Sequence, residues 1–175
     1  MTTGTKIISG VVAATIVIFA GAIWLLSNQS AKEDTKLSKP LTGEIIADQG
    51  ANHIPESSQA AYITNPPTGG PHYAKSASAG IYEKEVPDGN LIHSMEHGAV
   101  ILWYSGLSVQ DIEKLKQIFS SVNVSKKIMV PKNNLDVPLA LTSWGRLLKL
   151  QTIDGGQIKT FMETNEDRGP EKAPL

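Results

Sequence analysis

Residues 7–26 contain no Asp, Glu, Lys or Arg, and their polar side chains are limited to Ser9 and Thr15. A lone apolar stretch of roughly 20 residues has one backbone solution in lipid, an α-helix. It satisfies its own N–H and C=O groups and spans a hydrocarbon core of about 30 Å. Trp24 lies near one end, where an amphipathic ring suits the headgroup region. The pattern predicts a short N-terminal tail at 1–6 and a transmembrane anchor at 7–26. The competing reading is a cleaved signal peptide, whose apolar core is shorter, about 7–15 residues, and is followed by small residues at a cleavage site. Ser27-Asn28-Gln29-Ser30-Ala31 fits that pattern poorly, so the sequence favours an uncleaved signal-anchor. Lys6 before the span and a large domain after it predict a single-pass protein of the cell membrane with its C-terminal domain extracytoplasmic. Lys32, Lys36 and Lys39 on the other flank weigh against that orientation.

Residues 27–41 are polar and charged, which predicts a flexible tether. Residues 42–175 are long enough for one soluble domain with its own core, and too short for two. The net charge is −1, with both signs spread along the chain and no basic stripe, which argues against nucleic acid as a partner. With no cysteine, neither a disulfide nor a thiolate-bound metal is available.

From residue 52 to residue 90 prolines and glycines punctuate the chain, and long regular elements are not expected. A stretch of that length within a compact domain is commonly functional or disordered, and this one carries Tyr62, Tyr73, Tyr82, His53 and His72, with His93 and His97 just beyond it. Before it, Glu44-Ile45-Ile46-Ala47-Asp48 reads as a short strand. After it, the apolar run 98–104 reads as a buried strand. Ser108 reads as the N-cap of a helix over 109–122, with Asp111 completing a capping-box-like start. Residues 127–130 read as a strand stopped by Pro131, 139–150 as a longer strand bent at Gly145, and 157–165 as a helix after an Asp-Gly-Gly turn. The charged tail from Glu166 reads as irregular. This order predicts an α+β domain with a mixed or antiparallel sheet and two helices, in a thioredoxin-like or ferredoxin-like arrangement.

The histidines suggest a chemistry. Neutral imidazole is the commonest metal-ligating side chain near pH 7, and zinc or copper accepts three or four such nitrogens. His93 and His97 share one face of a helix and can bind one ion there, whereas on a strand they lie roughly 13 Å apart. A metal site therefore requires a helical turn over 91–97, with Gly98 releasing the chain into the strand. His72, from a Pro-Gly loop, and His53 would complete the ligands. Glu96 can ligate, orient an imidazole or act as a base on bound water. Met95 offers a thioether that would favour copper if it faced the ion. The competing reading is a histidine cluster that only caps backbone carbonyls. Trp103, Tyr104 and Trp144 read as core residues, and Arg146 as a partner of Glu96 or Asp154. The sequence has neither a P-loop nor a nucleophile elbow, and nothing in it points to an organic cofactor.

At Asn65-Pro66-Pro67-Thr68-Gly69-Gly70-Pro71-His72, His93-Ser94-Met95-Glu96-His97-Gly98 and Ala140-Leu141-Thr142-Ser143-Trp144-Gly145-Arg146 the chain resembles an uncharacterised prokaryotic domain family. That family has NPPTSGPH-like, HxxEHG-like and ALTAWGR-like motifs. Here Gly69-Gly70 stands where the pattern has Ser-Gly. The resemblance covers residues 53–170 and implies no established activity. The reading that follows is a membrane-anchored, extracytoplasmic copper or zinc protein for metal binding, delivery or sensing, with enzymatic activity left open and the balance leaning against it. A non-enzymatic envelope module and a metal-assisted hydrolase using Glu96 are the alternatives.

Overall fold

The computed structural model describes the backbone of residues 3–175 and the side chains of 12, 14–31 and 38–175. The chain divides into two units, residues 1–40 and 41–175. The first contains one long helix, α1 (Thr3–Ser38). Of the tail expected at 1–6, residues 1 and 2 lie outside the described residues, and residues 3–6 already belong to α1. The segment Ala14–Ala31 is long and apolar enough to cross a membrane. Its large side chains, among them Ile16, Phe19, Trp24 and Leu26, are exposed. This is an apolar N-terminal helix that fits either an anchor or a signal peptide. The segment expected as a flexible tether is helical through Ser38. Ala31, Lys32, Glu33, Lys36 and Leu37 are good helix formers, and extending an existing helix avoids the cost of a new nucleus.

The second unit is α+β. Its strands are β1 (Glu44–Ile45), β2 (His53–Ile54), β3 (His72–Tyr73), β4 (Gly80–Ile81), β5 (Val100–Tyr104), β6 (Lys127–Pro131), β7 (Leu139–Ser143) and β8 (Arg146–Leu150). Its helices are α2 (Asp88–Glu96), α3 (Val109–Ser121) and α4 (Gly155–Asn165). Six strands form a mixed sheet in the order β1-β8-β7-β5-β6-β4, and β2 and β3 form a separate parallel pair. β5 and β6 are parallel neighbours joined through α3, while β7 runs antiparallel to both β5 and β8. The expected single bent strand over 139–150 is a hairpin. Ser143 pairs with Arg146, and Gly145 turns the chain at φ 66°, a region that favours glycine.

Every residue of β5 is buried, which accounts for its uninterrupted apolar run. Val100, Leu102 and Tyr104 pack with Leu115 and Phe119 of α3 and with Ile158, Phe161 and Met162 of α4. Ile101 and Trp103 belong to a second cluster with Leu91, Ile92 and Met95 of α2. Alternation along one strand thus builds a core on each face of the sheet. The Trp103 indole N–H donates to Thr142 Oγ1 at 2.7 Å.

The helix starts follow local chemistry. Ser108 Oγ accepts the Asp111 N–H at 3.1 Å, as the capping pattern predicts. Asp154 Oδ1 accepts the N–H groups of Gly156 and Gln157 at 2.9 and 3.0 Å, so α4 starts two residues earlier than expected.

Thr142→Val keeps the side chain's shape but removes the acceptor for a buried indole N–H. The cost is about 1–3 kcal/mol, read as a lower urea midpoint for the detergent-solubilised chain. An unchanged midpoint would mean that the indole needs no acceptor there.

Candidate metal centre

The irregular stretch is ordered by three segments that meet. Gly145 N–H, in the β7–β8 turn, donates to Thr68 O at 2.9 Å, and the Trp144 indole lies beside Gly69. A Cβ at Gly69 would meet that indole at 3.6 Å, an ordinary contact, so space does not demand glycine there. Tyr62 Oη donates to Pro71 O at 2.9 Å and holds the end of the loop. The loop then enters β3, whose parallel register with β2 sets His53 opposite His72 and Ile54 opposite Tyr73. Two residues of strand pairing are enough to bring histidines 19 positions apart side by side.

The helical turn required at 91–97 is present. α2 buries Leu91, Ile92 and Met95 against the sheet, and His93, Glu96 and His97 share another side of the turn. Ser94 Oγ accepts the Ala77 N–H at 2.9 Å and so ties α2 to the segment following β3. Gly98, at φ 90°, turns the chain from α2 into β5, and Ala99 N–H donates to Ser94 O at 2.8 Å.

The C-terminal tail is irregular, as expected, but it packs against this junction. Asp167 N–H donates to Gly98 O at 2.8 Å and Glu171 N–H to Glu96 O at 3.0 Å. A Cβ on Gly169 would lie 2.1 Å from Glu96 O, so only glycine lets the tail approach this closely. Lys126 Nζ donates to His97 O and Ala173 O, both at 2.8 Å, and pairs with Asp167 at 2.9 Å.

These elements converge on one cluster. His72 Nε2 lies 3.0 Å from Glu96 Oε2, and His53 Nε2 lies 3.7 Å from the same oxygen. His93 Nε2 lies 3.0 Å from His97 Nε2, which in turn lies 3.3 Å from Glu171 Oε2. The ligand atoms of His53, His72, His93 and Glu96 all fall within 4.8 Å of one another, as do those of His93, Glu96, His97 and Glu171. His72 is fully buried, His93 and Glu96 are nearly so, and the side chains of His53 and Glu171 are 50% and 55% exposed.

The tautomers follow from the partners. His72 Nδ1 faces Gly70 O at 2.8 Å, His93 Nδ1 faces Tyr73 O at 2.7 Å, and His97 Nδ1 faces Pro174 O at 3.0 Å. A carbonyl oxygen only accepts, so each Nδ1 carries the proton. Each Nε2 then points a lone pair into the cluster when the ring is neutral. Two such lone pairs at 3.0 Å, those of His93 and His97, repel unless a proton or a cation lies between them. A backbone carbonyl orienting Nδ1 while Nε2 faces the ion is the usual outer arrangement of metal-bound histidine. Ligand atoms of a tetrahedral ion at 2.0–2.1 Å are about 3.3 Å apart, close to the spacings here.

The expected ligands His53, His72, His93, His97 and Glu96 therefore come together. Met95 does not join them. It is fully buried in the apolar cluster on the far side of α2, because one position from Glu96 is about 100° around a helix. Arg146 reaches Gly43 O at 3.5 Å rather than Glu96 or Asp154, since Asp154 caps α4 and Glu96 faces the histidines. Trp103 and Tyr104 lie in the core, and Trp144 stands edge-on to His72 with ring centroids 6.2 Å apart. Glu171 is the candidate ligand that sequence reasoning missed. The available signal was the Gly169-Pro170 step within an otherwise charged tail.

A family model described as "Protein of unknown function (DUF3105)" matches residues 53–174. No curated protein and no solved structure matches the chain.

The pKa of His93 is lowered from the ordinary histidine value of 6.5, first because burial disfavours the imidazolium. Neighbouring His97 and His72 push the same way, against the Tyr73 carbonyl and Glu96. The unfolded chain takes up this proton near pH 6.5 and the folded chain only at lower pH. The stability contributed by His93 is therefore full above about 6.5 and is lost as the pH falls through the folded value. Chelator-treated protein should have a lower urea midpoint at pH 5.5 than at 7.5, and His93→Gln should shrink that difference. An undiminished difference in the variant would contradict the assignment.

Proposed function

The chain belongs to the DUF3105 family, and for its soluble domain we propose a metal-binding function: capture of a zinc or copper ion for delivery or sensing at a membrane surface. One observation carries the reading. Three histidines each donate Nδ1–H to a backbone carbonyl and so turn Nε2 toward Glu96, His72 and His93 grouping with it on one side and His93 and His97 on the other. A cluster serving only to cap carbonyls would need the Nδ1 atoms and nothing else. The convergence of the remaining nitrogens with a carboxylate is what a cation uses.

The donor set supports zinc(II) or copper(II), which suit imidazole and carboxylate, over copper(I), which suits sulfur. With Met95 in the core and no cysteine in the chain, no sulfur belongs to the set. Glu96 acts as a ligand rather than as a general base, since its oxygen already faces His72 at 3.0 Å. The length and apolar character of Ala14–Ala31 in α1 support placing this function at the cell membrane through an uncleaved anchor, with the domain proposed on the extracytoplasmic side. The strand order supports a thioredoxin-like core over a ferredoxin-like one, because β5 and β6 are adjacent across their connecting helix rather than split by another strand.

Thermal melts of the detergent-solubilised chain with Zn²⁺, Cu²⁺ or chelator test the proposal. An ion at a hundredfold excess over Kd stabilises by about 2.7 kcal/mol, which raises Tm by roughly 5–15 °C for a domain of this size. His72→Ala should diminish the metal-dependent rise. A Tm that responds to neither ion, or a rise that His72→Ala leaves intact, would overturn the reading.

A further inference from the structure

The metal reading treats the cluster as one site, but its geometry divides. The ligand atoms of His53 and His72 group with those of His93 and Glu96, while the ligand atoms of His97 and Glu171 form a second group with the same two residues. No single group contains all six side chains. Ligand atoms on one ion lie no more than about 4.2 Å apart, twice the usual bond length, so a single ion cannot engage the whole set.

The two shared residues are not equivalent. The proton on His93 Nδ1 faces Tyr73 O, which leaves Nε2 with one lone pair for one ion. It lies 3.0 Å from His97 Nε2, within the span of two ligands on one ion, which assigns it to the second group. Glu96 has two oxygens with lone pairs of their own, and a carboxylate can join two cations. Resting on the metal-binding reading above, we infer that the cluster is a Glu96-bridged two-ion centre. His53, His72 and Glu96 hold one ion, and His93, His97, Glu171 and Glu96 hold the other. Bridged pairs of this kind place their ions about 3.5–4 Å apart.

The second position has a property the first lacks: one ligand comes from the C-terminal tail. Glu171 N–H already donates to Glu96 O at 3.0 Å, and Pro174 O orients His97 from the same tail. An ion at this position would fasten residues 171–174 to the end of α2. Lys126 lies at the same junction, and Asp167 neutralises it at 2.9 Å, which limits its repulsion of a second cation.

The test is the zinc content of the full chain in detergent, stripped with chelator, reloaded with Zn²⁺ alone and desalted. The wild type should retain two zinc ions per chain. Glu171→Gln, at a half-exposed position whose change leaves the core untouched, and Glu171→Gln combined with His97→Gln should each retain one. His53→Gln combined with His72→Gln should also retain one. Tryptic cleavage after Lys172 should slow when the wild type is loaded with zinc, and not when the Glu171→Gln/His97→Gln variant is. One zinc in both wild type and Glu171→Gln overturns the two-ion centre and leaves the metal reading standing. Two zinc ions in the Glu171→Gln/His97→Gln double variant overturn the assignment of ligands. Loss of both ions from a variant that still melts cooperatively overturns the two positions as separable. No zinc in the wild type overturns the metal reading itself.

Discussion

Burial of β5 on both faces is the constraint from which the rest of the second unit follows. A strand whose five side chains are all buried needs an apolar layer above and below it. α3 and α4 supply one layer, in the form of amphipathic helices. The other side has one short helix, α2, and a long irregular segment to cover it. Each large apolar side chain taken out of water there contributes about 1.5–3 kcal/mol. Leu91, Ile92 and Met95 therefore fix α2 in rotation as well as in position. Once those three face inward, helical spacing sends His93, Glu96 and His97 together to another side. The orientation of the ligand face is a by-product of core packing.

The rings are then aimed by backbone rather than by other side chains. Gly70, Tyr73 and Pro174 each present a carbonyl to one Nδ1, and these carbonyls belong to a loop, a strand end and the tail. Each is held in turn by its own contacts: the Tyr62 hydroxyl on Pro71, the β2–β3 pair, and Lys126 on Ala173. Backbone carbonyls neither titrate nor change rotamer, so the nitrogens stay convergent whatever occupies the space between them. Burial makes that convergence consequential. In a low-dielectric setting an unshared lone pair or an unpaired charge is costly, and a cation is favoured in proportion.

The elements with the strongest local signals were legible in the sequence. The apolar run of β5, the Ser108 cap and Gly98 as the exit from α2 were all read from residue type and spacing, and the structure agrees with each. What escaped depended on contacts distant in the chain. The 139–150 segment reads as one strand because both halves are apolar, and only the pairing of Ser143 with Arg146 reveals the hairpin. The two-residue strands β2 and β3 have no period to detect, yet they place His53 beside His72. Met95 was drawn into the ligand set by proximity in sequence, when the helical angle between it and Glu96 sends it to the core. Glu171 lies 75 positions beyond Glu96, and only the Gly169-Pro170 step before it sets it apart in a charged tail. The polar stretch after residue 26 reads as a tether because composition reports solvation, whereas helix formation there follows from continuing a helix already nucleated.

The distribution of exposure within the cluster bears on what such a site is for. A site built to brace a fold encloses its ion in four protein ligands, while a site that exchanges its ion keeps a route to solvent. Here the inner candidate ligands, His72, His93 and Glu96, are buried, and the outer ones, His53 and Glu171, are half exposed and belong to different groups. Ligands rigid at the centre and accessible at the margins favour binding that can be reversed. For the proposed site, that property would favour delivery or sensing over structural use at the three-ligand position formed by His53, His72 and Glu96.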